Sequence, residues 1–138
     1  MSIAAKQQEV LEEFAFFQDS QERYEYLISL GKKLPPMDES LRTTDRLIKG
    51  CQAQVWLDAR AEEGVIRYVA DSDSVITKGM IAIFVRVLDD EPADAVLTAD
   101  LSFLKEIKLD GLLTSTRANA LNLMATQMKK CALELSAS

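Results

Sequence analysis

The sequence predicts an α+β fold, with helices packed on one face of a small antiparallel sheet of about three strands. Three observations predict it. Apolar residues recur at helical spacing up to about residue 31 and again from residue 75. Between them, Val55 to Arg60 and Val65 to Ala70 alternate with a strand period on either side of a Glu63-Gly64 turn. Helices and strands are therefore segregated along the chain, the α+β pattern. The 138 residues suffice for a buried core, and no repeat, low-complexity tract or Gly/Ser linker divides them. The expectation is one domain spanning residues 1–138.

A first helix is expected over Ile3 to Gln18, where Val10, Leu11, Phe14 and Phe17 share helical spacing. Asp19 with Glu22 resembles a capping box and starts a second helix. Tyr24, Leu27, Ile28 and Leu30 lie on its buried side. Gly31 falls near its end, and Pro35-Pro36 forbid continuation. Residues 36–50 form a long polar connection carrying Arg42, Arg46 and Lys49, and Ile48 begins a short third strand. In the hairpin, Val55, Leu57 and Ala59 point one way and Trp56, Asp58 and Arg60 the other. Ser72, Asp73 or Ser74 caps a helix over Val75 to Leu88 that is apolar nearly all round and so should be buried. Gly79 within it points to close backbone packing, or to packing beneath the Cys51 loop. Pro92 opens a short helix at its first turn, and another covers Ser102 to Leu109. Ser115 or Thr116 caps a last helix to about Leu135, with Leu121, Met124, Met128 and Leu135 inward.

The formal net charge of −6 repels phosphate backbones, so nucleic acid is not an expected partner. No polybasic stretch suits an anionic membrane. The longest mostly apolar run, Met80 to Leu88, is interrupted by Arg86 and too short to span. The N-terminus MSIAAKQQEV lacks the apolar block of a secretory signal. These readings predict a cytoplasmic or equally reducing compartment. The chain has no histidine, which removes Ser/His and Cys/His catalysis and nearly every common zinc site, and no metal site is expected. Asp71 to Ser74 look like a calcium-loop fragment, but the loop glycine and closing glutamate are missing, and helix capping is the better account.

Chemistry falls to a thiol. Cys51 follows Gly50 at the end of the polar connection, where a loop apex can expose it. The thiolate is the reacting form, and Arg42, Arg46 and Lys49 lie near it in sequence. The plain alternative is a small buried hydrophobe, since free cysteine is among the most buried residue types. Cys131, between Met128 and Leu135 on the last helix, reads as packing or a bystander surface thiol. Trp56 reads as strand packing, and Arg117 as an exposed side chain or a contact for an anionic partner group. A lone thiol with no catalytic group beside it in sequence suits a carrier better than a complete enzyme.

The string Gly50-Cys51-Gln52-Ala53-Gln54-Val55-Trp56 resembles the G-C-x-S-x-V-W signature of the SufE family. Three further segments resemble that family in the same order: Tyr26 to Gly31 with Leu34-Pro35, Asp71 to Ser74 with Lys78 to Ala82, and Thr114 to Arg117 through Leu121 and Met124. Together they cover nearly the whole chain. Ala53 stands where the family usually has serine, and Ala120 where it usually has glycine. The resemblance implies a fold shared with the IscU scaffold type and a sulfur-acceptor role. Cys51 would take a persulfide from a cysteine desulfurase, SufS-type or related, stimulate that enzyme, and deliver sulfur to a SufBCD-type cluster scaffold complex. Pyridoxal phosphate would belong to the desulfurase, so no cofactor is expected here. Gly50, Gln52 and Arg117 would support the loop or touch the partner, and homodimerisation stays open. A mostly apolar recess for the resting thiol would limit its oxidation.

Three other readings compete. A cluster scaffold normally needs several cysteines, and this chain has two. A thiol redox sensor or peroxidase lacks a resolving cysteine close in sequence to Cys51. A plain protein-interaction domain would make Cys51 structural.

Overall fold

The computed structural model describes residues 2–107 and 114–137. Helix α1 spans Ile3–Ala15 and is capped by the Ser2 hydroxyl, which accepts from the Ala5 N–H. It ends before Gln18 because Asp19 must be extended to cap α2 (Ser20–Lys32), leaving three residues to make the connection. Asp19 accepts from the Gln21 N–H. Leu27 and Gly31 are the buried residues of α2. The expected partners Tyr24, Ile28 and Leu30 are only half-buried, because a close crossing with the next long helix narrows the covered stripe.

That helix, α3 (Val75–Leu88), is the centre of the core. Nine of its residues are buried: Gly79 to Val85, Val87 and Leu88. The crossing is set by two glycines. A Cβ on Gly79 would come 2.5 Å from the Leu27 carbonyl oxygen, and one on Gly31 would come 2.9 Å from the Gly79 nitrogen. Gly79 therefore serves the α2 contact rather than the Cys51 loop.

Strands β1 (Val55–Glu62) and β2 (Val65–Ser72) pair antiparallel, from Val55 opposite Ser72 to Glu62 opposite Val65. Glu63 and Gly64 both take positive φ (51° and 86°), the conformation a tight two-residue hairpin turn requires. Val55, Leu57, Ile66, Tyr68 and Ala70 are buried on the face that α3 and the last helix cover. The class is the predicted α+β, with two strands rather than three. Leu47 makes only an isolated bridge to Trp56, because the connection turns away at Gly50 before a ladder can extend.

Helix α4 (Ala93–Thr98) is preceded by Pro92 as its cap, not its first helical residue. Leu101–Glu106 form 3-10 turns in place of the helix expected to Leu109, whose last two positions lie outside the described residues. Helix α5 (Ser115–Ser136) is capped by Thr114, which is extended, whereas Ser115 and Thr116 are already helical. Leu121, Met124, Met128 and Ala132 are its buried residues, and the Tyr68 hydroxyl donates to the Met128 carbonyl at 2.7 Å.

Candidate functional site

Cys51 lies in the connection between Ile48 and Val55, and both ends of that connection are tied down. The Ile48 N–H donates to the Val55 carbonyl at 2.8 Å. At the other end, the Gln54 carbonyl accepts from the Ser72 hydroxyl (2.7 Å) and the Asp73 N–H (3.2 Å). The Gln54 N–H in turn donates to the Asp73 carboxylate at 3.0 Å. Gly50, at φ +93°, turns the chain just before the cysteine, and a Cβ there would sit 3.0 Å from a Leu123 methyl on α5. Tied ends with a glycine between them leave a short free span, and Cys51 is on it.

Beneath the clasp lies Asp71, 5% exposed. Its carboxylate accepts from the Ser72 N–H at 2.8 Å, and it pairs with the Arg42 guanidinium and with the Lys78 ammonium at 3.2 Å. Two cations and a backbone donor offset the desolvation of one buried carboxylate. Asp71 thus fastens the 36–50 connection to α3. Of the four residues read as caps or a calcium-loop fragment, only Ser74 caps, accepting from the Thr77 N–H.

Cys51, Gln52 and Ala53 form one wall of a cleft of about 390 Å³. Ser74 and Thr77 from the start of α3, and Thr114, Thr116, Arg117 and Ala120 from the start of α5, form the rest. The structure thus brings Gln52 and Arg117 to the cysteine and places Gly50 as its hinge. The lining of the cleft is as much hydroxyl and guanidinium as carbon, while the cysteine side chain itself packs against the hydrophobic core. Thr77 and Thr114 were missed as site residues. Thr114 carried a signal only as the first residue of the family-like segment Thr114 to Arg117, and nothing in sequence placed Thr77 opposite Cys51.

The Cys51 side chain is half-buried against the core, and burial pushes its thiol up from the ordinary value. Among the described residues, the two arginines that precede it in sequence do not counter that. Arg42 is taken by Asp71 and sits 5.8 Å above the Trp56 ring, and Arg46 donates to Asp58 at 2.9 Å. Of the basic residues near Cys51 in sequence, Arg42 and Arg46 therefore serve the outer face of the hairpin instead of the thiolate. Cys131 is also free and half-buried, with its thiol pushed up first by burial, and the Gln127 amide lies 3.8 Å from its sulfur.

Residues 8–132 match the family described as SufE: Fe-S metabolism associated domain. The chain belongs to the SufE family. That membership associates it with iron–sulfur metabolism. It is 37% identical over 134 residues to SufE-like protein 1, chloroplastic/mitochondrial, of Arabidopsis thaliana, covering 96% of this chain and 36% of that protein. It is 34% identical over 126 residues to an uncharacterized SufE-like protein of Rhizobium meliloti (strain 1021), covering 88% of this chain and 90% of that one. A chloroplastic quinolinate synthase of Nicotiana tabacum is 37% identical over 131 residues, 91% of this chain and 18% of the synthase. The chain thus spans about a third of the Arabidopsis relative. Among solved structures, a hypothetical protein from Thermus thermophilus shares the fold, with a TM-score of 0.80 at 20% identity over 96% of this chain and 97% of that one. Both departures from the SufE family pattern, Ala53 and Ala120, line the Cys51 cleft. Among the described residues, no helix is long and apolar enough to cross a membrane.

Proposed function

We propose that this chain is a sulfur acceptor of a cysteine desulfurase, with Cys51 as the residue that carries the sulfur. One observation carries the reading. A free cysteine sits on a short span tied at both ends, and it opens on a cleft large enough for part of a partner's reacting loop.

The step is thiol exchange. Cys51 loses its proton, and its thiolate attacks the terminal sulfur of the donor persulfide. The donor's S–S bond breaks, its thiolate leaves and takes up a proton, and a new S–S bond forms on Cys51 with no net oxidation. Because burial holds the resting thiol protonated, activation falls to the docked partner. Drawing sulfur off the donor frees the enzyme for its next turnover, which is how the chain would stimulate it. The sulfur then moves to a cluster-assembly scaffold by the same exchange. Arg117 supplies a cation to the cleft in which the anions form. The chain is on this reading an accessory protein rather than a complete enzyme, a single domain working in a reducing compartment. Cys131 does not act as a resolving thiol. It lies eight positions beyond Leu123, the residue against Gly50, or about 12 Å along α5.

The test is intact mass after incubation with a cysteine desulfurase and cysteine. Wild type should gain mass in steps of one sulfur, and Cys51→Ser none. Equal gain on Cys51→Ser would overturn the assignment.

A further inference from the structure

Far from the Cys51 cleft, the end of α1 presents an aromatic groove that the sulfur chemistry leaves unused. Phe16, the C-cap of α1, is 80% exposed. It belongs to a continuous wall of rings. Phe16 meets Phe17 edge-on at 5.3 Å, Phe17 meets Tyr26 at 5.1 Å, and Tyr26 meets the buried Phe14 at 5.1 Å. Glu9, Glu12 and Glu13, on the same helix as Phe16, complete a shallow cleft of about 460 Å³.

The charges in the cleft do not cancel. Arg86 grips Glu13 with two guanidinium nitrogens, the distance to its Oε1 being 2.7 Å, and Tyr26 donates its hydroxyl to the same carboxylate. Those bonds, Arg86's first, hold the Glu13 carboxyl below its ordinary value. Glu9 is only 3.8 Å from Arg86, and the Glu12 carboxylate accepts an amide of Gln8 at 3.3 Å. One guanidinium, with the Lys33 ammonium acting on Glu13 from farther off, thus faces three carboxylates. Aromatic faces and surplus carboxylate attract the same chemistry: a guanidinium or ammonium carried on an apolar surface.

We infer that this groove docks a partner-protein segment that presents an arginine or lysine flanked by apolar residues. The cation sits between the rings and Glu9 and Glu12, and the apolar flank covers Phe16. The site is independent of the sulfur-acceptor reading. Thr77 borders the Cys51 cleft and Arg86 borders this one, nine residues apart on α3 or about 13 Å along its axis. A segment docked here leaves Cys51 open.

Fluorescence anisotropy on the full chain tests it with three labelled 14-residue amphipathic peptides. They share a leucine face and carry arginine, glutamine or glutamate on the polar face. The arginine peptide should bind, the glutamine peptide at least tenfold more weakly, and the glutamate peptide not at all. Phe16→Ala and Glu12→Lys should each weaken the arginine peptide at least fivefold with unchanged thermal midpoints. Glu39→Lys, the same charge change on the connection before Cys51, should leave binding as it was. Equal weakening by Glu39→Lys would reduce the effect to attraction by the chain's overall charge and overturn the proposal. So would no loss in Phe16→Ala, comparable binding of the glutamine or glutamate peptide, or no binding of any peptide. Sulfur loading of Cys51 in Phe16→Ala should match wild type, which separates this outcome from the fate of the acceptor reading.

Discussion

Cys51 and Cys131 are a natural control for one another. Both are free, both are half-buried, and burial pushes both thiols up. They differ in the backbone beneath them. Cys131 is fixed within a 22-residue helix and can move only if α5 unwinds. Cys51 sits between Gly50, at φ +93°, and the three hydrogen bonds that hold Gln54, with a cleft in front of it. Neither burial class nor the direction in which burial moves the thiol separates the two, so the difference that stands out is local backbone freedom and the space to use it.

The largest expected effect breaks the pair outright. With a desulfurase and cysteine, Cys131→Ser should load sulfur to the wild-type extent while Cys51→Ser loads none, as read by intact mass. Loading that fails in Cys131→Ser and survives in Cys51→Ser would mean that backbone freedom was the wrong criterion.

Next comes a change that should erase the difference without touching either site. In Gly79→Ala, the new Cβ meets the Leu27 carbonyl oxygen at 2.5 Å, a rigid methyl against backbone, which helix separation must relieve. Overpacking of this kind costs about 1–3 kcal/mol. Urea unfolding should show that loss. Slow alkylation of both cysteines should accelerate together, because both then report global opening. A stability loss confined to the noise would show that the α2–α3 crossing is softer than its glycines indicate.

A smaller, local effect sharpens the comparison from the other side. Ser72→Ala removes one of the bonds on the Gln54 carbonyl and the bond its hydroxyl accepts from the Ser74 N–H, about 1 kcal/mol each, and leaves the Asp73 N–H in place. Alkylation of Cys51 by iodoacetamide should rise several-fold, that of Cys131 not at all. In wild type, Cys51 should still react more slowly than a thiol in an unstructured peptide. Equal acceleration at both positions would show that the clasp is general stability rather than a restraint on the loop.

Much of this architecture is readable from local pattern. The two-residue alternation of Val55 to Ala59 and the Glu63-Gly64 turn locate the hairpin, and the all-round apolar face of Val75 to Leu88 marks the central helix, because both signals follow from backbone geometry. The site was legible as one cysteine and a few neighbours in sequence. Its other half was not. Ser72 and Asp73 reach Gln54 only through the register that sets Val55 opposite Ser72, and Thr77 meets Cys51 only where α3 begins, whereas Arg117 was legible only through the family resemblance. The basic residues before Cys51 misled for the same reason. Nearness along the chain put Arg42 and Arg46 beside the thiol, whereas Asp71 and Asp58 hold them on the sheet's outer face. A third strand starting at Ile48 failed because pattern gives a strand its residues but not a partner along its length; one bridge formed, at Leu47, and the chain turned at Gly50.

The smallest expected difference is in pH dependence, and it separates access from acidity most directly. Each thiol is pushed up by burial, so each alkylation rate should keep rising beyond the pH at which an ordinary thiol levels off, and both should fall back to the ordinary profile in denaturant. The sign for stability follows. A folded-state value above the unfolded one gives a contribution that is complete below the unfolded value and is lost as pH rises through the folded one. Alkaline loss of stability should therefore be shallower in the Cys51→Ser, Cys131→Ser double variant than in wild type. If freedom of the loop is what distinguishes Cys51, the ratio of the two alkylation rates should stay nearly constant up to the range where the first thiol titrates, since below it each thiolate fraction rises tenfold per pH unit. A Cys51 profile that levels off below the ordinary thiol range would instead place an activating cation at the sulfur in solution, and Arg117, across the cleft, is the residue whose replacement by Ala should then restore the higher profile.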